Sequence, residues 1–228
     1  NASNATAKNW QVLYNYNYNQ NPITTNGTNT CTFGGERLID TTNYITLIGK
    51  QGSLIDVYCN ANSGRTFVKI VSGQWDTVVL CDDISQLYFY DSVITIYGAI
   101  SEFSMYGNTS VTAIDASNHT ALTYLSCSHN QIASLDVSGC TSLYELSCSS
   151  NNLTSLNVSS CTALTLLYCE FNNLTSLDVS TCTSLYALYC DSNNLTSLDV
   201  SSCTSLEELG CSSNNLTSLN VSACTALN

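Results

Sequence analysis

Three residue types in this chain could do chemistry, and all three sit on a 21-residue repeat. Cys127, Cys148, Cys169, Cys190 and Cys211 form one column, and Cys140, Cys161, Cys182, Cys203 and Cys224 a second. Regularly spaced thiols suggest a metal or redox ladder, yet the close C-x-x-C or C-x-C spacing that chelation uses is absent. In-register parallel coils hold neighbouring Cβ atoms about 4.8 Å apart and pointing the same way, whereas a disulfide wants about 3.8 Å with side chains turned together. The two columns therefore read as small buried hydrophobes. Cys31, Cys59 and Cys81 form an odd set, from which at most one pair can arise.

Carboxylates recur as well. Asp136, Asn157, Asp178, Asp199 and Asn220 share a column, and oxygens one strand spacing apart could hold Ca²⁺. No Gly-rich calcium repeat accompanies them, and side-chain to backbone bonding at turns explains Asp and Asn equally well. Glu170 and Asp191 could imitate a glycosidase pair, but they fall on a shallow repeat with no sequence sign of a pocket. His119 and His129 are the two histidines, and no Gly-x-Ser-x-Gly, His-Glu-x-x-His or phosphate-binding loop appears. The chain reads as non-enzymatic, with no cofactor and no metal site.

The third type is tyrosine. Comparing the copies shows which positions packing leaves free: apolar columns hardly change, while the intervening strand positions vary. Tyr124, Tyr144, Glu145, Tyr168, Glu170, Tyr186, Tyr189, Asp191, Glu207 and Glu208 all fall on those variable positions. They are the candidate ligand-binding residues, aromatic platforms with an acidic edge, with Tyr168 beside Tyr189 and Glu170 beside Asp191. Ordinary cross-strand packing of tyrosine is the competing reading.

The element that must position them is the repeat Leu-x-x-Leu-x-Cys-x-x-Asn-x-Leu-Thr-Ser-Leu-Asp/Asn-Val-Ser-x-Cys-Thr-x, running from Leu122 almost to the C-terminus. A fixed short period with apolar residues at fixed offsets predicts a solenoid whose coils bury their apolar edges by stacking. The second Leu and the Cys alternate with polar residues, which predicts a strand with Leu125 and Cys127 inward and Tyr124, Ser126 and Ser128 outward. The Asn130, Asn151, Asn172, Asn193 and Asn214 column is expected to satisfy backbone groups of the adjacent coil. The Leu-Thr-Ser-Leu-Asp-Val-Ser half predicts an extended opposite wall with Leu135 and Val137 inward. Ile100, Phe103, Met105, Asn108, Val111, Ile114, Ala116 and His119 mark a divergent first coil, with a one-residue insertion in its second half.

Three domains follow. Residues 1–35 are Asn/Thr-rich with an alternating Tyr14–Asn19 patch, read as a flexible segment. Residues 36–99 carry short β-type runs, including Leu54–Cys59, and a turn-rich Asn60–Gly64 stretch read as a hairpin loop; they predict a small β cap over the solenoid end. A weak echo of the repeat at Ile84, Leu87, Phe89 and Ile94 suggests that the cap runs on without a linker. Residues 100–228 are the solenoid.

With 17 acidic against 5 basic side chains the net charge is -12, which disfavours nucleic acid and anionic membrane surfaces and suits cationic or neutral partners. No run of about 18 apolar residues exists to span a bilayer. The absence of a charged-then-apolar leader suits a chain whose export signal has been removed. The chain stops at Thr225–Asn228, where a further strand should begin, so either the native protein continues or a second copy covers that edge as a homodimer.

The repeat string resembles the leucine-rich repeats of bacterial surface proteins, especially a 21-residue form found in gut Bacteroidetes, and more distantly internalin-type repeats. The resemblance implies a leucine-rich-repeat solenoid with a small N-terminal β cap, exported to the cell surface by a lipid anchor or secreted. Its role would be recognition of a host or bacterial protein or glycan. A spacer holding another domain away from the cell is the alternative.

Overall fold

The computed structural model describes residues 24–25, 31–33, 36–37, 41–61, 67–81 and 84–227. The Tyr14–Asn19 patch and most of segment 1–35 lie outside them. Three short strands, β1 (Thr24–Thr25), β2 (Cys31–Phe33) and β3 (Glu36–Arg37), pair antiparallel in a small sheet. The cap follows with β4 (Tyr44–Gly49), β5 (Leu54–Asp56), β6 (Tyr58–Asn60), β7 (Phe67–Ser72), β8 (Trp75–Leu80), β9 (Gln86–Tyr88) and β10 (Val93–Tyr97). The coils supply β11 (Glu102–Ser104), β12 (Val111–Asp115), β13 (Tyr124–Ser126), β14 (Ser134–Asp136), β15 (Glu145–Ser147), β16 (Leu166–Tyr168), β17 (Ala187–Tyr189), β18 (Ser197–Asp199), β19 (Glu208–Gly210) and β20 (Ser218–Asn220). No α-helix occurs among the described residues, and the chain forms the expected leucine-rich-repeat solenoid of stacked coils.

One wall of the solenoid is a seven-stranded sheet in the order β19-β17-β16-β15-β13-β11-β6. From β11 to β19 neighbouring strands are parallel and in register, so Leu125, Leu146, Leu167, Leu188 and Leu209 align. Leu125, Leu146, Leu167 and Leu188 are fully buried, and burying each such side chain is worth about 1.5–3 kcal/mol. The opposite wall runs through β12 and β14, an Asn157–Asp178 bridge and the β18-β20 pair. Its Leu135 and Val137 point inward as expected.

The cap closes both walls. β6 adds antiparallel to β11, and β4 adds antiparallel to β12 in the six-stranded order β14-β12-β4-β10-β7-β8. The first coil thus leaves no unpaired strand edge towards the cap, which is how an end unit protects a repeat array. Cys59 is disulfide-bonded to Cys81, tying β6 to the end of β8.

Three details of the cap differ from expectation. The Leu54–Cys59 run is two strands: Val57 donates its N–H to Ser85 O at 2.9 Å, β5 pairs with β9, and β6 crosses to the solenoid sheet. β6 and β7 belong to different sheets and do not pair with each other, while residues 62–64 of the stretch read as a hairpin loop lie outside the described ones. The echo at Ile84–Ile94 is buried at Ile84, Leu87, Phe89 and Ile94, and the cap runs into the solenoid without a linker as expected, β10 sharing a sheet with β12 and β14. β9 itself, however, pairs antiparallel with β5 rather than joining the coils.

The Asn column works as a ladder. Asn151 Nδ2 donates to Cys127 O of the preceding coil (2.9 Å) and to Cys148 O and Ser149 O of its own (3.0 and 3.2 Å). Its Oδ1 accepts the Ile132 N–H at 2.9 Å. Asn172 and Asn193 repeat this set. Asn130 keeps its donors, but its Oδ1 has no partner. The insertion in the first coil explains this: Val111 N–H, which stands where the acceptor would be served, turns to Asn108 O. The residue before each Asn is left-handed, with φ of 53–58° at His129, Ser150, Phe171, Ser192 and Ser213.

Among the described side chains ten cysteines are free, and all but Cys211 are buried. Burial pushes the thiols of Cys127, Cys140, Cys161 and Cys190 up to about 12. In the second column Cys140 Sγ donates to Ala116 O (3.3 Å) and Cys224 Sγ to Val200 O (3.2 Å). These are protonated, packed thiols, as small apolar residues with one weak donor should be.

Candidate functional site

The outward face of the seven-stranded sheet is built from two rows set by the strand register. One runs Asn60, Glu102, Tyr124, Glu145, Leu166, Ala187, Glu208, and the other Tyr58, Ser104, Ser126, Ser147, Tyr168, Tyr189, Gly210. Tyr144, Tyr186 and Glu208 are exposed; Tyr124, Glu145, Tyr168, Glu170, Tyr189, Asp191 and Glu207 are half-buried. Ser126 and Ser128 lie on this face as expected, yet side chains as short as theirs and that of Ala187 are buried there. Small groups between larger neighbours are shadowed, and Ser128 spends its hydroxyl on Ser147 Oγ (2.7 Å) and Ser149 Oγ (3.0 Å).

Towards the C-terminal coils the expected stack forms. The Tyr168 and Tyr189 rings lie 5.3 Å apart and 5° from parallel. Tyr189 OH donates to Glu208 Oε2, and that bond, with burial behind it, pushes the phenol up to about 12. Tyr168 is raised chiefly by desolvation, then by Glu145, Glu208 and Glu170; Tyr186 is raised by its bond to Glu207. All three stay neutral donors at ordinary pH. Asp191 Oδ1 accepts Ser212 N–H (2.8 Å) and Ser212 Oγ–H (2.5 Å). Gly210 makes room for this group, since a Cβ there would come within 2.3 Å of Asp191 Oδ2 and 2.8 Å of Tyr189 Cδ1. Glu170 Oε2 is buried with no hydrogen-bond partner.

Towards the cap lies a second cluster that sequence reasoning only half found. Tyr58, Glu102, Ser104, Tyr124 and Tyr144 line a cleft of about 330 Å³. Glu102 Oε2 accepts from Asn60 Nδ2 at 3.2 Å and lies 3.5 Å from Tyr58 OH. Tyr58 and Asn60 come from the cap on β6, so the cap builds part of the face as well as closing it. β6 alternates Tyr58 out, Cys59 in, Asn60 part-exposed, but no sequence signal assigns this strand to the repeat sheet.

The Asp/Asn column of the other wall is occupied with its own backbone. Asp136, Asn157, Asp178, Asp199 and Asn220 each accept the N–H two residues on, from Ser138, Ser159, Ser180, Ser201 and Ser222, at 2.9–3.2 Å. The hydroxyls of Ser180 and Ser201, and after them these backbone bonds, hold the carboxyls of Asp178 and Asp199 below the usual range. Among the described residues no three His, Cys, Asp or Glu side chains converge as metal ligands.

Residues 120–161 match the family model for leucine-rich repeats, in two copies. No curated protein matches the chain significantly. Among solved structures, the functional domain of InlJ from Listeria monocytogenes, which includes a cysteine ladder, is 31% identical over 56% of this chain and 33% of its own, with a TM-score of 0.44. A leucine-rich-repeat protein of Leptospira interrogans is 26% identical over 49% of this chain and 31% of its own, with a TM-score of 0.46. The chain thus spans about a third of the length of these two structures. Residues 120–161, read as leucine-rich repeats by their family model, are the coils that carry Tyr124, Tyr144 and Glu145.

Proposed function

We propose that this protein is a non-enzymatic recognition module that binds a protein or glycan through the outward face of its repeat sheet. The observation that carries the reading is the parallel Tyr168/Tyr189 stack, held half-open on a face where packing does not dictate residue type. Rigid aromatic surface supplies contact area at low entropy cost. The repeat string's resemblance to bacterial surface proteins supports an exported, cell-surface or secreted setting, in a Bacteroidetes cell.

The test is a binding screen against host extracellular proteins and a glycan array, run on wild type and on the Tyr168→Ser/Tyr189→Ser variant. The expected result is a partner whose affinity drops by more than about tenfold in the variant, the scale of losing a central aromatic anchor. Partners bound equally by both proteins would refute a recognition surface at this stack. No partner in either panel would favour the spacer reading.

A further inference from the structure

We propose that the ligand of this face is a cationic polypeptide segment. One Lys or Arg side chain would enter the Tyr58/Glu102/Tyr124/Tyr144 cleft, and a second would meet Glu170 and Asp191 beside the Tyr168/Tyr189 stack. The inference rests on the recognition reading above and narrows its partner. Its starting point is an asymmetry of charge: residues 100–228 contain no Lys and no Arg. Glu102, Glu145, Glu170, Asp191, Glu207 and Glu208 nevertheless gather on or beside one face. The ion pair found among the described residues, Lys69–Asp76, sits in the cap.

Carboxylates on both walls meet neutral donors: each Asp of the opposite wall accepts a backbone N–H of its own turn, while Asp191 accepts the N–H and Oγ–H of Ser212 and Glu102 the Asn60 amide. The tyrosine face differs at Glu170, whose Oε2 is buried without a donor. A buried carboxylate oxygen lacking a donor is costly, and an incoming ammonium or guanidinium removes that cost. The tyrosines suit the same ligand, because a cation is attracted to the face of an aromatic ring. Burial without a counter-charge also raises the Glu145 carboxyl between the two subsites.

The spacing selects a polypeptide over a small amine. The cleft lies between β11 and β13 and the stack on β16 and β17, three strand steps away, about 14 Å at ~4.8 Å per step. One ammonium cannot serve both, whereas an extended chain at ~3.3 Å per residue bridges them with basic residues about four positions apart.

Labelled Gly/Ser/Ala peptides carrying two Lys about four positions apart, two adjacent Lys, or two Glu about four apart would be titrated by fluorescence anisotropy. Each is tested on wild type and on Glu102→Gln/Glu170→Gln, whose thermal melt confirms folding. The spaced-Lys peptide is expected to bind best, to weaken steeply with added salt, and to lose about tenfold or more in affinity in the variant. Equal binding of the Lys and Glu peptides, no binding of any, or no effect of the variant overturns the proposal. A partner from the wider screen that needs Tyr168 and Tyr189 but ignores Glu102→Gln/Glu170→Gln overturns it too, and leaves the recognition reading standing.

Discussion

The cap and the coils bury apolar strands by different means. In the coils one solution is copied: parallel strands in register, a thiol column, and an Asn that serves two coils at once. The cap solves each position once, with antiparallel strands, a Cys59–Cys81 disulfide and the Lys69–Asp76 ion pair. Repetition makes the coils depend on column chemistry, whereas the cap depends on individual contacts. The junction between them is where the copied solution fails, as the unpartnered Oδ1 of Asn130 shows.

Alkaline pH should separate the two regions most strongly. The coil thiols have pKa values raised by burial, to about 12 at Cys127, Cys140, Cys161 and Cys190 against 9.0 for the ordinary thiol. The folded state therefore keeps protons that the unfolded chain releases, so stability is full below pH 9 and falls as pH rises towards 12. The disulfide cysteines of the cap do not titrate. Urea titrations across this range should show a steep fall, made shallower by Cys148→Ala/Cys169→Ala. Cys59→Ala/Cys81→Ala, which removes the cap disulfide without adding thiols, should lower stability at every pH without changing that slope. A flat profile would mean that the thiols are not protonated core.

The Asn ladder comes next in size. Asn172→Ala strips partners from Cys148 O, Cys169 O, Glu170 O and Leu153 N–H, and orphaned buried groups cost about 1–3 kcal/mol each. A loss of about 3–5 kcal/mol is expected in urea unfolding, with Asn130→Ala costing less because one bond is already missing. Equal losses would contradict the account of the junction. Gly139→Ser probes the same place. Its Cβ would sit 1.8 Å from Ser117 O, although Ser occupies the equivalent positions 160 and 202. Forcing it in should cost about 3 kcal/mol, while Ser160→Gly should cost about 1 kcal/mol or less.

The smallest expected effect has the opposite sign. Phe171 is exposed at φ 55°, and a left-handed non-glycine residue carries about 1–2 kcal/mol of strain. Phe171→Gly should raise stability by about 0.5–1 kcal/mol, the strain relief being partly offset by glycine's freedom in the unfolded chain.

The coils were legible in the sequence because a 21-residue period fixes inward and outward positions together. That is why the Tyr168/Tyr189 stack and the Asn ladder could be expected residue by residue. The cap was not, because nothing in Leu54–Cys59 marks the break at Val57 that sends β5 and β6 to different sheets. The contribution of Tyr58 to the face depends on that same non-periodic pairing. The left-handed turn was hidden for another reason: His, Ser and Phe all occupy it, so the geometry is imposed by the Asn ladder that follows and not by the residue itself.

The most direct measurement compares partner affinity of wild type with two double variants, Tyr168→Ser/Tyr189→Ser on the tyrosine face and Asp178→Asn/Asp199→Asn on the opposite wall. The account predicts a loss of more than about tenfold in the first and none in the second. Loss confined to the opposite-wall variant, or unchanged affinity in both, would contradict recognition through the tyrosine face.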